Sequence, residues 1–122
     1  MLFRSNVLQR QKQFTEAIAA YRQAIQIEPR FAQAHNNCGI ALQAMGQIEE
    51  ALAAYAAALA VDPQYAEAHY NRGILFQQLQ RLDDAIASFE RVAALEPNHP
   101  DIASLLSAAY NNRGVDHNAR CR

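Results

Sequence analysis

The chain reads AHNNCGIALQAMGQIEEALAAYAAALAVDP over residues 34–63 and AHYNRGILFQQLQRLDDAIASFERVAALEP over residues 68–97, two copies of one pattern set 34 positions apart. The same spacing continues toward the N-terminus. Agreement in so many independent columns indicates an array of 34-residue repeats. The recurring columns are Pro29, Pro63 and Pro97; Ala17, Ala51 and Ala85; Tyr21, Tyr55 and Phe89; Gly39 and Gly73; and Leu8, Leu42, Phe76 and Tyr110.

Each repeat has the periodicity of two helices, because its apolar residues recur at helical spacing on either side of a short polar turn. A proline ends the second helix, since proline donates no N–H and disfavours helical geometry in the residue before it. The predicted helices are 32–45 and 66–79, each first in its repeat, and 48–61 and 82–95, each second.

Small residues are expected where the two helices of a repeat approach most closely. Gly39 is expected to face Ala51, and Gly73 is expected to face Ala85. The aromatic column, of which Tyr55 is one member, is then expected to fill the larger space between successive repeats.

Composition favours a helical globular protein. The 122 residues include 25 alanines, with 51% hydrophobic and 19% charged residues, which is typical of a packed chain. A net charge of −1 argues against broad binding to nucleic acid or to an acidic membrane. No apolar run reaches the roughly 18 residues of a membrane span. The lack of an apolar leader and the wide separation of Cys38 and Cys121 predict a cytoplasmic protein without disulfides.

The repeat resembles the tetratricopeptide repeat (TPR) family, in which small, apolar and aromatic residues and a final proline hold fixed positions of a 34-residue unit. Counted with Ala32 and Ala66 as first positions, both quoted stretches fit. His35 and His69 depart from the pattern by replacing an aromatic residue at position 4, and Arg72 replaces an apolar one at position 7. The matching residues are Gly39, Leu42, Ala51, Tyr55, Ala58 and Pro63, and Gly73, Phe76, Ala85, Phe89 and Pro97.

This resemblance implies an all-α fold, a right-handed α–α superhelical solenoid of three TPR units followed by a C-terminal capping helix. The first unit lacks three positions, so its first helix is expected to be truncated. The segment after the last unit resembles a first helix without a second, as a cap does. The predicted boundaries are 1–31, 32–65 and 66–99 for the units, 100–112 for the cap and 113–122 for a flexible tail.

The resemblance also implies a concave groove lined by the first helices. Asn37 and Asn71 hold equivalent positions and resemble the asparagine ladder of the TPR region in O-linked N-acetylglucosamine transferases, which holds peptide backbones. The alternative is that both are solvated groove residues. The predicted peptide-binding residues are Asn6, Gln33, Asn36, Asn37, Ile40, Gln43, Glu67, Tyr70, Asn71, Ile74, Gln77 and Gln78.

A clamp for a peptide carboxylate, as in chaperone-binding TPR domains, is not expected. Its two asparagine positions are matched by Asn6 and Asn37. Its three cation positions hold Leu2, Glu67 and Asn71 instead. A carboxylate would therefore have no charge-assisted partner, and Glu67 would repel it.

The sequence predicts a non-catalytic scaffold or adaptor that binds a protein or peptide, extended or helical, in the groove. No phosphate-binding loop or nucleophile motif is present, and the histidines and cysteines do not form a closed metal site, so no cofactor, metal or catalytic residue is predicted. Two alternatives stay open. The chain is a substrate-recruiting part of a larger enzyme, such as a glycosyltransferase, or it self-associates through an open N-terminal end bearing Leu2, Phe3 and Val7.

Overall fold

The computed structural model describes the backbone of residues 2–121 and the side chains of residues 9–112. Helices are the only regular elements among these residues, so the all-α class is confirmed. The chain divides into two compact units, residues 1–65 and 66–122, each with three helices. The helices are α1 (Leu2–Ile27), α2 (Ala32–Ala44), α3 (Ile48–Val61), α4 (Ala66–Gln78), α5 (Leu82–Leu95) and α6 (Ile102–Cys121).

The turn inside each helix pair depends on one residue with left-handed backbone. Gly46 has φ 79° after α2, and Gln80 has φ 63° at the equivalent place after α4. The N–H groups of Gln47 and Arg81 then donate to carbonyls of the preceding helix at 2.9 Å, which closes the turn. Both second helices, α3 and α5, begin and end where the sequence predicted.

Gly39 and Gly73, which hold equivalent positions in the two repeats, make room for aromatic rings. A Cβ on Gly39 would lie 2.6 Å from Tyr55 Cε1, and one on Gly73 would lie 2.6 Å from Phe89 Cε1. Each ring therefore packs on the glycine of its own helix pair, a contact that the sequence analysis did not predict. The Phe89 ring also lies in one buried cluster with Ile102 of α6, beyond its own pair. The glycine lets the backbone of the first helix sit directly on the ring.

The core of the first unit lies between α2 and α3. Ala51, Tyr55 and Ala58 of α3 are fully buried, and Leu42 of α2 is 3% exposed. From α1, Ile18 packs into this unit with 8% of its surface exposed. The α3 residues recur every three or four positions, which places them on one helical face.

The core of the second unit lies between α5 and its two neighbours, α4 and α6. Ala85, Phe89 and Val92 of α5 are fully buried, and Ile102 of α6 packs on them. These α5 residues are the repeat equivalents of the buried face of α3. The repeated columns therefore mark the contact face of each second helix.

The terminal helices are longer than the sequence predicted. Instead of a truncated first helix and a second helix, residues 2–27 form α1 without a break, and Gln11, Lys12 and Gln13 in its middle are good helix formers. The backbone of α6 stays helical to Cys121, where a flexible tail was predicted, since a single Gly114 only weakens a helix. The predicted unit boundaries otherwise stay predictions.

Within the described part of the chain, none of the helices is both long enough and apolar enough to cross a bilayer.

Candidate peptide-binding faces

One face of α2 is open to solvent and combines amide and apolar side chains. Ile40 is 41% exposed, Asn37 is half-buried, and Gln33 and Ala44 are exposed. Their spacing of four, three and four residues puts all four on one side of the helix. We call this set, Gln33, Asn37, Ile40 and Ala44, the α2 face.

The equivalent four residues of α4 form a second face with a different character. Glu67 and Gln78 are exposed, whereas Asn71 and Ile74 are half-buried. Ile74 also packs against the core cluster of the second unit, so less of its surface is open than at Ile40. We call this set, Glu67, Asn71, Ile74 and Gln78, the α4 face.

The remaining predicted binding residues of α2 are engaged inside the protein. Asn36 is fully buried and is therefore not part of the α2 face. Gln43 Oε1 accepts a hydrogen bond from the Tyr55 hydroxyl at 2.8 Å and serves the packing of that ring. Asn6 falls outside the residues whose side chains the structure describes.

On α4, Tyr70 is part of an aromatic cluster. Its ring stacks on His99 with a centroid separation of 5.0 Å and meets Phe89 edge-on at 6.4 Å. His99 Nδ1 in turn accepts the backbone N–H of Asp101, next to the start of α6. Tyr70 therefore helps to hold the α4–α5–α6 unit together. Gln77, seven residues further along α4, is half-buried.

The histidines of the repeat positions have structural partners. His35 Nε2 donates to the carbonyl oxygen of Pro29 at 3.0 Å, and His69 is 7% exposed. Among the described residues, no three His, Cys, Asp or Glu side chains come together in a way that could hold a metal ion. Packing therefore accounts for both repeat histidines.

A polar cluster that sequence reasoning missed lies between α1, α2 and α3. Arg22 Nη2 forms an exposed ion pair with Glu50 Oε2 at 3.3 Å. Burial raises the pKa of the Cys38 thiol, opposed by the charge and hydrogen bond of Arg22 and reinforced by Glu50. An open cavity of about 400 Å³ adjoins the pair and is lined by Thr15, Ile18, Ala19, Arg22, Leu42, Met45, Gln47 and Glu50.

A second missed feature surrounds Phe76 on α4. The guanidinium groups of Arg81 and Arg72 lie 4.8 Å and 5.7 Å from the ring centroid. Burial lowers the pKa of Arg72, and the charge of Asp84 opposes this. Arg72 Nε is buried and has no hydrogen-bond partner among the described residues. Arg72 thus occupies the usually apolar position 7 by stacking its charge on an aromatic ring.

This helix-pair architecture defines an all-α helical-repeat protein. A family model described as "Tetratricopeptide repeat" matches residues 38–100, just over half of the chain, and one described as "TPR repeat" matches residues 6–46. The chain belongs to the tetratricopeptide repeat family. Domains of this family generally mediate protein–protein interactions.

Solved structures share the fold. The first TPR domain of Spaghetti (RPAP3), bound to the HSP90 peptide SRMEEVD, is 25% identical with a TM-score of 0.80 over 91% of this chain and 88% of that one. The Arabidopsis OM64 TPR domain is 22% identical with a TM-score of 0.78 over 88% of each chain. MamA is 23% identical with a TM-score of 0.78 over 83% of this chain and 59% of that one. No curated protein matches the chain.

Proposed function

We propose that this chain is a non-catalytic interaction module whose α2 face binds an extended segment of a partner protein. The observation that carries the proposal is the pairing of a half-buried Asn37 with an exposed Ile40 one helical turn away. A half-buried carboxamide has a restricted orientation, and it both donates and accepts hydrogen bonds, as a peptide backbone requires. Ile40 supplies apolar surface for a side chain of the bound segment.

The α4 face offers the same two residue types in the same register. Asn71 corresponds to Asn37, and Ile74 corresponds to Ile40. Glu67 replaces Gln33, so the α4 face has a negative charge at its start. We infer that a segment bound at the α4 face is neutral or basic near Glu67, because an acidic residue there would be repelled.

The composition of both faces supports binding rather than catalysis. The eight residues include no serine, cysteine or histidine, and Glu67 is the one ionisable group among them. General acid–base or nucleophilic chemistry needs at least one such group beside a second. We therefore assign the faces to recognition, and we propose the cytoplasm as their setting because the sequence has no disulfide framework.

The bound segment is expected to differ from the HSP90 peptide of the RPAP3 domain. The sequence places Leu2, Glu67 and Asn71 where a carboxylate-binding clamp has cations. The peptide SRMEEVD is acidic at its C-terminus, so it meets one negative charge and no compensating positive charge at these positions. Titration of the chain with SRMEEVD in a calorimeter should give no measurable heat of binding.

The proposal is tested with peptides selected from a displayed random library. The best selected peptide is synthesised and titrated against the full chain and against Asn37→Ala, Asn71→Ala and the double variant. The matched control is Asn98→Ala, which removes an exposed asparagine from a loop outside both faces. Loss of one hydrogen-bonding carboxamide should raise Kd about 5-fold to 10-fold, since each such bond contributes roughly 1 kcal/mol.

Affinities that are equal for the double variant and the control would refute the role of the asparagines. Selection of peptides with a free acidic C-terminus would contradict the charge argument. Failure to select any peptide would remove the proposal that these faces bind extended segments.

A further inference from the structure

The face of α1 that corresponds to the buried faces of the other second helices is only partly covered. Ala17, Tyr21 and Ala24 are half-buried, whereas their repeat equivalents in α3 and α5 are fully buried. Those equivalents are Ala51, Tyr55 and Ala58 in α3, and Ala85, Phe89 and Val92 in α5. In each complete pair the first helix covers this face, whereas residues 2–11 continue α1 and do not fold back on it.

The chain contains a segment with the covering pattern, but α1 holds it out of reach. Ser5 and Leu8 occupy the register positions of Gly39 and Leu42, residues of the helix that covers the α3 face. Residues 2–11 nevertheless continue α1 in one direction to Ile27. A helix without a reversal cannot place its first half beside its second half, so residues 2–11 cannot cover this face within the same molecule.

The sequence at the expected reversal is compatible with a straight helix. The two complete pairs reverse at Gly46 and Gln80, both with positive φ. The equivalent residue of the first repeat is Lys12, inside α1. Positive φ costs a residue with a Cβ about 1 kcal/mol or more, a cost that Gln80 bears and that Lys12 avoids by staying helical. Lysine and the glutamines beside it are good helix formers.

We propose that a second copy of this chain covers the face, in a swapped dimer in which residues 2–11 of each copy pack on Ala17, Tyr21 and Ala24 of the other. Two α1 helices that lie antiparallel, with the twofold axis near Lys12 and Gln13, place residues 2–11 of each copy on the face of the other copy at the same time. Each copy then acquires the helix pair that it cannot close alone. This inference concerns a different surface from the α2 and α4 faces and does not depend on the proposed function.

The test is the mass of the full chain by light scattering coupled to size exclusion, over a wide range of concentration. The swapped dimer predicts a mass twice the chain mass of 13.6 kDa, with dissociation on dilution. Ala17→Glu places a charged side chain in the covered face and should halve the mass. Its control is Gln23→Glu, which adds the same charge at an exposed position on another side of α1 and should leave the dimer.

A second pair of variants tests the reversal itself. Lys12→Gly supplies the residue that Gly46 provides in the next repeat, so each chain should close its own hairpin and the mass should fall to that of a monomer. Lys12→Ala keeps the helix and should keep the dimer. Circular dichroism of every variant confirms that the helices are retained.

A wild-type mass of 13.6 kDa at every concentration would overturn the proposal. A dimer that persists in Ala17→Glu would also overturn it, because the copies would then meet through another surface. Equal masses for Lys12→Gly and Lys12→Ala would refute the swap.

Discussion

The substitution Gly39→Ala tests the packing of each helix pair. An added Cβ would lie 2.6 Å from Cε1, 2.7 Å from Cδ1 and 3.1 Å from Cζ of Tyr55. Ordinary carbon contacts need about 3.5–4.0 Å, so the ring must move by roughly 1 Å. Tyr55 is fully buried and its hydroxyl is held by Gln43 at 2.8 Å, which resists this movement.

Two effects of opposite sign decide the stability of this variant. Overpacking in a well-filled core costs about 1–3 kcal/mol. Replacing glycine by alanine inside a helix gains roughly 1 kcal/mol from propensity. The clash involves three ring atoms of Tyr55, whose ring is held by burial and by the hydrogen bond to Gln43. We therefore expect the overpacking cost to dominate and the variant to lose about 1–2 kcal/mol of stability.

The assay is thermal unfolding of the full chain followed by circular dichroism, with Gly73→Ala as the matched variant. A loss of 1–2 kcal/mol corresponds to a Tm lower by roughly 4–10 °C in a chain of this size. Gly73→Ala should cost less, because Phe89 has no hydroxyl to hold its ring in place. A Tm that rises for Gly39→Ala would show that helix propensity decides, and would refute the close packing of glycine on the ring.

Three further results are expected from the same assay. Tyr55→Phe should lower stability by about 1 kcal/mol, through loss of the hydrogen bond to Gln43, and an unchanged Tm would contradict that bond. Burial raises the pKa of the Cys38 thiol in the folded protein above the value of roughly 8.5 that is ordinary for an unfolded chain. The stability that the neutral thiol contributes should therefore be complete below pH ~8.5 and lost as the pH rises through the higher folded-state pKa. The Tm of the wild type should accordingly fall more steeply above pH ~8.5 than that of Cys38→Ala, and parallel curves would count against it. Arg72→Met should keep or raise the Tm, since it removes a partly buried charge while retaining contact with Phe76, whereas a clear fall would mean that Arg72 has a stabilising partner.

The helix pairs could be predicted from sequence because repetition and local chemistry agree. The 34-residue spacing gave the ends of α3 and α5, and the prolines and acidic first turns mark their boundaries. Repetition also identified which residues are buried, since the same columns fill the core of both units. It did not reveal which residue each ring contacts, so the packing of Tyr55 on Gly39 and of Phe89 on Gly73 was not predicted.

Sequence alone predicted the faces only in part, because a family position does not determine burial. Asn36 and Tyr70 hold the same position, yet Asn36 is fully buried and Tyr70 stacks on His99. The continuous α1 was missed for a related reason. The repeat pattern predicted two helices in the first unit, whereas the helix-forming residues Gln11, Lys12 and Gln13 continue a single helix there.

The central claim is that Asn37 of the α2 face contacts the backbone of a bound segment. The most direct measurement is a nitrogen–proton NMR titration of the full chain with the peptide selected from the displayed library, following the side-chain amide signals of its asparagines. We predict that the signals of Asn37 shift and saturate with the bound fraction, while those of Asn98 do not move. Saturable binding that leaves the Asn37 signals unmoved would contradict the claim.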